Sequence, residues 1–400
     1  MTSNYDVIIA GAGPAGSSAA IGLATNGLSV LLVEQKKFPR AKLCGEFISP
    51  ECQDHFEKLG VTQSILCSDP SAITETVFYS NRGHHVGVPS SWFGKRVALG
   101  LSRAVMDDVL LRRAAAVGVE VIESSNVIGP LINTDRVHGL KFKFGNDERE
   151  AQAPLTIDAT GRARILARKT NNSHKQKPKL IAFKAHFQNT RVATGACEIY
   201  FYRGGYGGLS GIEAGASNLC FIVAAEQVKQ CHSDPDCVMR EIVMRNPRAR
   251  YTLTPASTTS EWLSASWDHF GRQSPAPAPG LLAIGDAAAF IDPFTGSGML
   301  MALESGELAA EVIVRHRDQL AASSLAADYV DSYRKKFDSR LKICSFLRRA
   351  AFYPHLTELG VAVFGASERF RNRIARATRS PTNANQPGTA GVSPATHDRA

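Results

Sequence analysis

No apolar run of the length that spans a bilayer occurs in this chain. The longest apolar stretch, residues 7–33, is broken by Gly11, Gly13, Pro14, Gly16 and Asn26, which is wrong for a membrane-crossing helix. Met1 stands only a few residues before it, without room for the charged leader and apolar segment of a signal peptide, so a cytoplasmic location is expected. Eight cysteines in 400 residues make no dense framework and no CxxC pair, against structural zinc, a redox dithiol or a disulfide scaffold. Gly94-Lys95 lacks the upstream glycine of a P-loop, and neither G-x-S-x-G nor H-E-x-x-H is present. His84-His85 has no further ligands nearby, and a solvated hairpin explains it; no metal site is expected. No internal repeat is visible.

What is present reads as globular. With 44% hydrophobic and 21% charged residues, a chain this long exceeds what one core usually serves, so two lobes are expected. The formal charge of +9 is not spread evenly. Residues 334–379 hold twelve Lys or Arg against Asp338, Glu358 and Glu368, a net +9, which leaves the rest close to neutral. No nucleic-acid recognition motif lies within that segment. It reads first as the solvated faces of C-terminal helices and second as a surface for peripheral contact with anionic lipid headgroups.

The chain opens strand, tight turn, helix, strand: residues 6–10, 11–13, 14–26 and 29–33. Both strands are near-continuous Val, Ile and Leu, the pattern of parallel strands buried on both faces. Residues 35–50 form a loop too long to be a mere connection. A hairpin is expected over 76–88 around Asn81, Arg82 and Gly83, and Ser102 can cap a helix reaching about Val117. Strands follow at 119–122, 137–144 and 155–159. From 180 to 225 alternating segments with glycine-rich breaks point to an antiparallel sheet. A buried strand at 281–284 and a helix at 298–315 return to the first lobe, and amphipathic helices are expected at 326–351 and 355–376. The fold class is therefore α/β: a Rossmann-type cofactor domain (1–74, 97–179, 275–325) interleaved with an antiparallel-sheet substrate domain (75–96, 180–274). C-terminal helices (326–379) and a tail (380–400) too poor in apolar residues to order itself complete the chain.

Gly11-Ala12-Gly13-Pro14-Ala15-Gly16 fits G-x-G-x-x-G between a strand and a helix. Gly11 permits the tight turn, Gly13 lets a pyrophosphate approach the backbone, and Gly16 lets helix pack on strand. The helix N-terminus then offers unpaired N–H groups and a positive dipole end to the phosphates. Glu34, at the end of the second strand, is placed to accept hydrogen bonds from a ribose. Ile157-Asp158-Ala159-Thr160-Gly161-Arg162 ends a strand with an acid and a glycine, and Leu282-Ala283-Ile284-Gly285-Asp286-Ala287 repeats the plan.

In that order, these three segments resemble the glycine, DG and GD motifs of the glutathione-reductase-type flavoproteins, in the branch of aromatic hydroxylases, geranylgeranyl reductases and flavin halogenases. The likeness runs over about residues 5–308 and implies FAD. It assigns Asp286 to the ribityl chain and Asp158 with Gly161 to the region beside the cofactor, with Arg103 near the pyrophosphate. Pro293, Gly296, Ser297 and Gly298 would open a helix near the flavin pyrimidine ring. Pro14, Ala15, Gln35, Arg40, Gly45 and Gly285 complete the expected cofactor set.

Cys44-Gly45-Glu46-Phe47-Ile48-Ser49-Pro50 is similar to the CG segment of geranylgeranyl reductases, where a loop passes the flavin. That likeness marks Cys44 for substrate positioning or proton transfer. The stretch from Arg203 to Ser210 falls where the reductases carry Tyr-x-Trp-x-Phe-Pro and the halogenases Trp-x-Trp-x-Ile-Pro. Only Tyr206 survives, with Gly208 and Ser210 at the next two bulky positions, which argues against halogenation. No second G-x-G-x-x-G follows, so NADPH or NADH would dock only transiently, or an external redox partner would deliver the electrons. The leading expectation is hydride transfer from reduced FAD to an apolar, prenyl- or polyketide-like small molecule. An oxygen-using aromatic or polyketide monooxygenase is the alternative. A prenyl-binding carrier without flavin chemistry is a third reading, opposed by the intact glycine turn and Asp286.

Overall fold

The strand Val7–Ala10 has no exposed face. Val7 and Ile9 pack with Leu32, Ile157 and Leu282 on one side, while Ile8 and Ala10 pack with Leu31 and Val33 on the other. In the computed structural model, which describes residues 5–170, 179–267, 270–351 and 354–378, this strand is the centre of a five-stranded parallel sheet. The order is Leu281–Ala283, Leu155–Asp158, Val7–Ala10, Val30–Val33, Glu120–Ile122. Helices Pro14–Thr25, Arg103–Ala116 and Gly298–Arg315 cover the first face. An antiparallel meander, Ser125–Asn133, Arg136–Phe144 and Asp147–Gln152, covers the second through Val127, Val137, Leu140 and Phe142. Ser102 caps its helix as expected, accepting from Val105 N at 3.3 Å.

The second lobe is an eight-stranded sheet built from two separate stretches of chain. The hairpin Glu75–Tyr79 and His85–Pro89 joins strands Leu180–Gln188, Ala196–Tyr202, Gly205–Gly211, Ser217–Ala224, Ser257–Thr258 and Leu263–Trp267. The expectation of a wholly antiparallel sheet needs one correction. Glu75–Tyr79 lies parallel to Ala196–Tyr202, with Val77 opposite Glu198, because the hairpin is inserted from elsewhere in the chain instead of following its neighbour through a turn.

Among the described residues the C-terminal helices number three, since the expected second one breaks at Ser367, whose hydroxyl caps the next by accepting from Phe370 N. They are Ser323–Ala351, Pro354–Ala366 and Glu368–Ala377. The first packs Tyr329, Tyr333, Phe337 and Leu341 into the cofactor lobe, where the Arg340 guanidinium meets Glu304 at 2.8 Å with both side chains buried. The second is tied to the hairpin turn. Asn81 donates to the Thr357 hydroxyl, and Glu358 accepts from Arg82 N at 3.0 Å and pairs with His84 at 3.2 Å. His84 thus joins an anchor between hairpin and helix, while both histidines stay exposed as the solvated hairpin predicts. Phe352, Tyr353 and the expected tail 380–400 lie outside the described residues. No helix among the described residues is long and apolar enough to cross a membrane.

Candidate active site

A cleft of about 390 Å³ opens at the carboxyl ends of the parallel strands. Gly11 turns at φ +102°, and a Cβ there would stand 2.4 Å from Ala159 O, so both backbone angle and space require glycine. At Gly16 a Cβ would stand 1.9 Å from Gly11 O, which is the close helix-to-strand approach the spacing predicts. Gly13 is different. Its φ of −70° suits any residue, and a Cβ would meet only Arg103 Nη2 at 3.8 Å, so a side chain here would project into the cleft instead of clashing with the fold. No side chain caps the helix that begins at Pro14, which leaves its first N–H groups to a ligand.

Glu34 is nearly buried at the rim and binds Ala12 N at 2.8 Å and Lys36 N at 3.0 Å. Gln35, Arg40, Gly45, Gly161, Gly285, Pro293, Gly296 and Gly298 line the same cleft with Pro14 and Ala15. Arg103 and Arg40 stand there on a shared carboxylate. Asp107 accepts both forks of Arg103 at 2.7 Å, and Arg40 Nη1 stands 3.1 Å away as an ion pair. The cleft also holds Lys42 and Arg162, two cations the motif reading did not single out. Arg162 lies over the Trp267 ring at 5.0 Å and the Phe290 ring at 5.3 Å.

The two acids with matching local sequence have opposite surroundings. Asp158 is fully buried and its oxygens accept from Thr160 N and Oγ1 and from Leu166 N and Ala167 N, capping the helix Ile165–Thr170. This corrects the expectation that Asp158 faces the cofactor: its acceptor sites are filled by the protein. Asp286 faces the cleft. Burial raises its pKa, against the attraction of Arg162, Arg103 and Lys42. Ser297 is also turned inward, its hydroxyl within 2.8 Å of Thr295 Oγ1, so only the backbone around it is offered to the cleft.

A second cavity, about 230 Å³ and mostly apolar, lies against the sheet of the other lobe. Phe78, Ile199, Phe201, Ile222 and Phe294 form much of its wall, and Thr357, Val361, Phe364 and Ile374 from the C-terminal helices form its roof. Part of the basic segment therefore covers a cavity instead of facing water; Arg371 lines it while lying 5.3 Å from the Trp92 ring. Gly208 and Ser210, small where the resembling families are bulky, both line it. The two cavities meet at Gly45, Phe47, Cys220, Pro293 and Gly296, which border both.

Cys44 borders only the cofactor cleft, where its sulfur accepts from Glu46 N at 3.4 Å. Tyr206 lines the apolar cavity with its ring, but its hydroxyl donates to the Asp292 carboxylate and accepts from Phe294 N. Burial first, and then Asp292, push its pKa well up. Through these contacts it braces the Pro293–Thr295 turn while its ring stays in the cavity wall. Motif reasoning missed Cys220, the thiol at the junction itself. It sits in an ordinary alternating strand, and no local signal marks it; burial drives its pKa well above the usual thiol range.

Motif reasoning also missed the carboxylate that fixes the Cys44 loop. Glu46 is fully buried at φ +54° and accepts from Lys184 Nζ at 2.7 Å, His186 Nε2 at 2.7 Å and Arg103 N at 2.9 Å. Burial pushes its pKa up, but the His186 hydrogen bond and the Lys184 charge outweigh that and hold it below the usual carboxylate range.

A glycine turn that only glycine can make, an uncapped helix end and an unblocked Gly13 form a cradle that fits a dinucleotide. Residues 6–173 match the family of FAD dependent oxidoreductases, a cofactor this cradle fits, and the chain is an FAD-dependent oxidoreductase. Among its relatives is the digeranylgeranylglycerophospholipid reductase of Methanosarcina mazei, 28% identical over 325 residues, spanning 78% of this chain and 75% of that protein. Two solved structures share the fold. Flavin-dependent brominase Bmp2 has TM-score 0.80 at 22% identity, covering 94% and 93% of the two chains. A geranylgeranyl bacteriochlorophyll reductase-like protein from Thermoplasma acidophilum has TM-score 0.75 at 21% identity, covering 90% and 91%. An enzyme of this class sets aside the reading as a carrier without flavin chemistry.

Proposed function

We propose that this enzyme reduces carbon–carbon double bonds of a prenyl-type, apolar substrate held in the cavity beneath the C-terminal helices. The observation that carries this reading is the junction: an apolar cavity that opens onto the cofactor cleft at Gly45, Pro293 and Gly296, with the Cys220 thiol between them. The Methanosarcina relative, named for reduction of a digeranylgeranyl lipid, supports the substrate class.

FAD, once reduced by the electron donor, would supply the hydride; the rest is the work of the chain. Gly11, Gly13 and the N–H groups after Pro14 would hold the pyrophosphate, with Arg103 and Arg40 providing positive charge beside it. Glu34 would take a ribose, and Asp286 the ribityl hydroxyls. The helix N-terminus at Gly298 would favour negative charge near it. Phe78, Phe201 and Phe294 exclude water from the substrate. Cys220 Sγ holds the proton that a reduced double bond needs, and Cys44 orients the loop beside it. NADPH, NADH or a redox protein delivers electrons by transient docking, since a single glycine turn serves the single parallel sheet among the described residues.

Anaerobically reduced holoenzyme mixed with a geranylgeranylated glycerolipid should reoxidise while the lipid gains two hydrogens per double bond. Gly208→Phe should keep its flavin yet lose this step, because the ring fills the cavity next to Ile199. Reoxidation only on adding oxygen, with a hydroxylated product, would replace reduction by monooxygenation.

A further inference from the structure

We infer that the outer faces of the helices Pro354–Ala366 and Glu368–Ala377 form a docking surface for an anionic lipid bilayer. Among the described residues nine large apolar side chains are exposed, and four of them, Phe346, Leu359, Val363 and Phe370, fall within one short stretch near the C-terminus. Leu359, Ala362, Val363 and Ala366 are all exposed and recur at helical spacing, so they form one stripe along the helix.

The opposite side of that helix is apolar as well. Gly360, Val361 and Phe364 line the substrate-side cavity. A helix apolar on both its inner and outer sides is matched to an apolar medium outside the protein, not to water.

The next helix says which medium. Its exposed residues include Arg369, Arg373 and Arg376 with Phe370 among them, against the single acid Glu368. Arginines beside an apolar stripe suit the phosphate level of a membrane: the stripe enters the acyl boundary while guanidinium groups reach the headgroups. A second copy of this chain would bring the same arginines face to face across an isologous contact, and like charges there repel.

Sedimentation of the full-length holoprotein with vesicles tests this without any assay of turnover, so its outcome is independent of the substrate proposed above. Vesicles containing phosphatidylglycerol should carry the protein down, and phosphatidylcholine vesicles should carry about tenfold less or below. Raising salt from about 50 to about 500 mM should release it. Leu359→Gln with Val363→Gln, and separately Arg369→Gln with Arg373→Gln and Arg376→Gln, should each cut binding about tenfold or more with flavin content unchanged. Equal binding to both vesicle types, no binding at low salt, or flavin-replete variants that bind like the native chain would overturn the proposal. So would a dimer that the Leu359→Gln, Val363→Gln pair abolishes.

Discussion

Lys184 Nζ lies 2.7 Å from Glu46 Oε1 with both side chains almost wholly out of water, although one residue belongs to the cofactor-lobe loop and the other to the sheet of the second lobe. Removing one member leaves a buried charge without its partner, which typically costs about 3–5 kcal/mol. Glu46→Gln should lower the urea midpoint accordingly, and Glu46→Gln with Lys184→Met should recover much of the loss. Because the folded-state pKa of Glu46 is depressed, its contribution is complete above the ordinary carboxylate value of about 4.3 and disappears as pH falls through the folded value. The native chain should therefore lose stability in that acid window more steeply than Glu46→Gln. Parallel acid curves would remove Glu46 from the account.

Gly13→Val tests the cradle with little cost to the fold, since the backbone angle is ordinary and the nearest obstacle is 3.8 Å away. The branched side chain should stand where the pyrophosphate belongs, giving a folded, colourless protein. Circular dichroism and flavin content on one preparation decide it; a yellow variant places the phosphates elsewhere.

The contrast between Asp286 and Asp158 makes a paired prediction. Asp286→Ala should weaken FAD retention with little change in unfolding, its carboxylate being directed at the cleft. Asp158→Ala should do the reverse, since it strips a buried cap from the helix Ile165–Thr170 at about 1–3 kcal/mol. Flavin loss from Asp158→Ala with unaltered stability would restore it to the cofactor set.

Cys220 at the junction and Cys44 in the cleft separate in the same way. Cys220→Ala should leave flavin content and reduction by donor intact and slow only the substrate half-reaction, by about 10² to 10⁴-fold if it is the proton source. Cys44→Ser should have the smaller selective effect, as its sulfur meets a backbone N–H and lines only the cleft. The opposite ranking in rapid mixing would return the proton to Cys44.

How much of this could be read in the sequence depends on the range of the interaction. Gly11, Gly13, Gly16 and Glu34 are legible because a strand, a turn and a helix adjacent in the chain dictate their spacing. Asp158 and Asp286 look alike locally, and their fates divide a few residues downstream: Thr160 and the N-terminus of a short helix turn back onto Asp158. Glu46 with Lys184, and Cys220 at the junction, were invisible because their meaning comes from pairings across lobes. The C-terminal helices showed their periodicity and charge, but not that one side roofs a cavity. That depends on contacts of Thr357 and Glu358 with a turn more than two hundred residues earlier.

The parallel register of Glu75–Tyr79 against Ala196–Tyr202 has a consequence for how the molecule comes into being. During synthesis the first strand of each sheet pairs early on one edge, Val7 with Val30 and Val77 with Gly87, while its other edge waits for Leu155 and Glu198 to leave the ribosome. Neither lobe is a contiguous stretch that can complete itself early, so the nascent chain carries unpaired, apolar strand edges for much of its translation. No single cut in the chain releases either lobe whole.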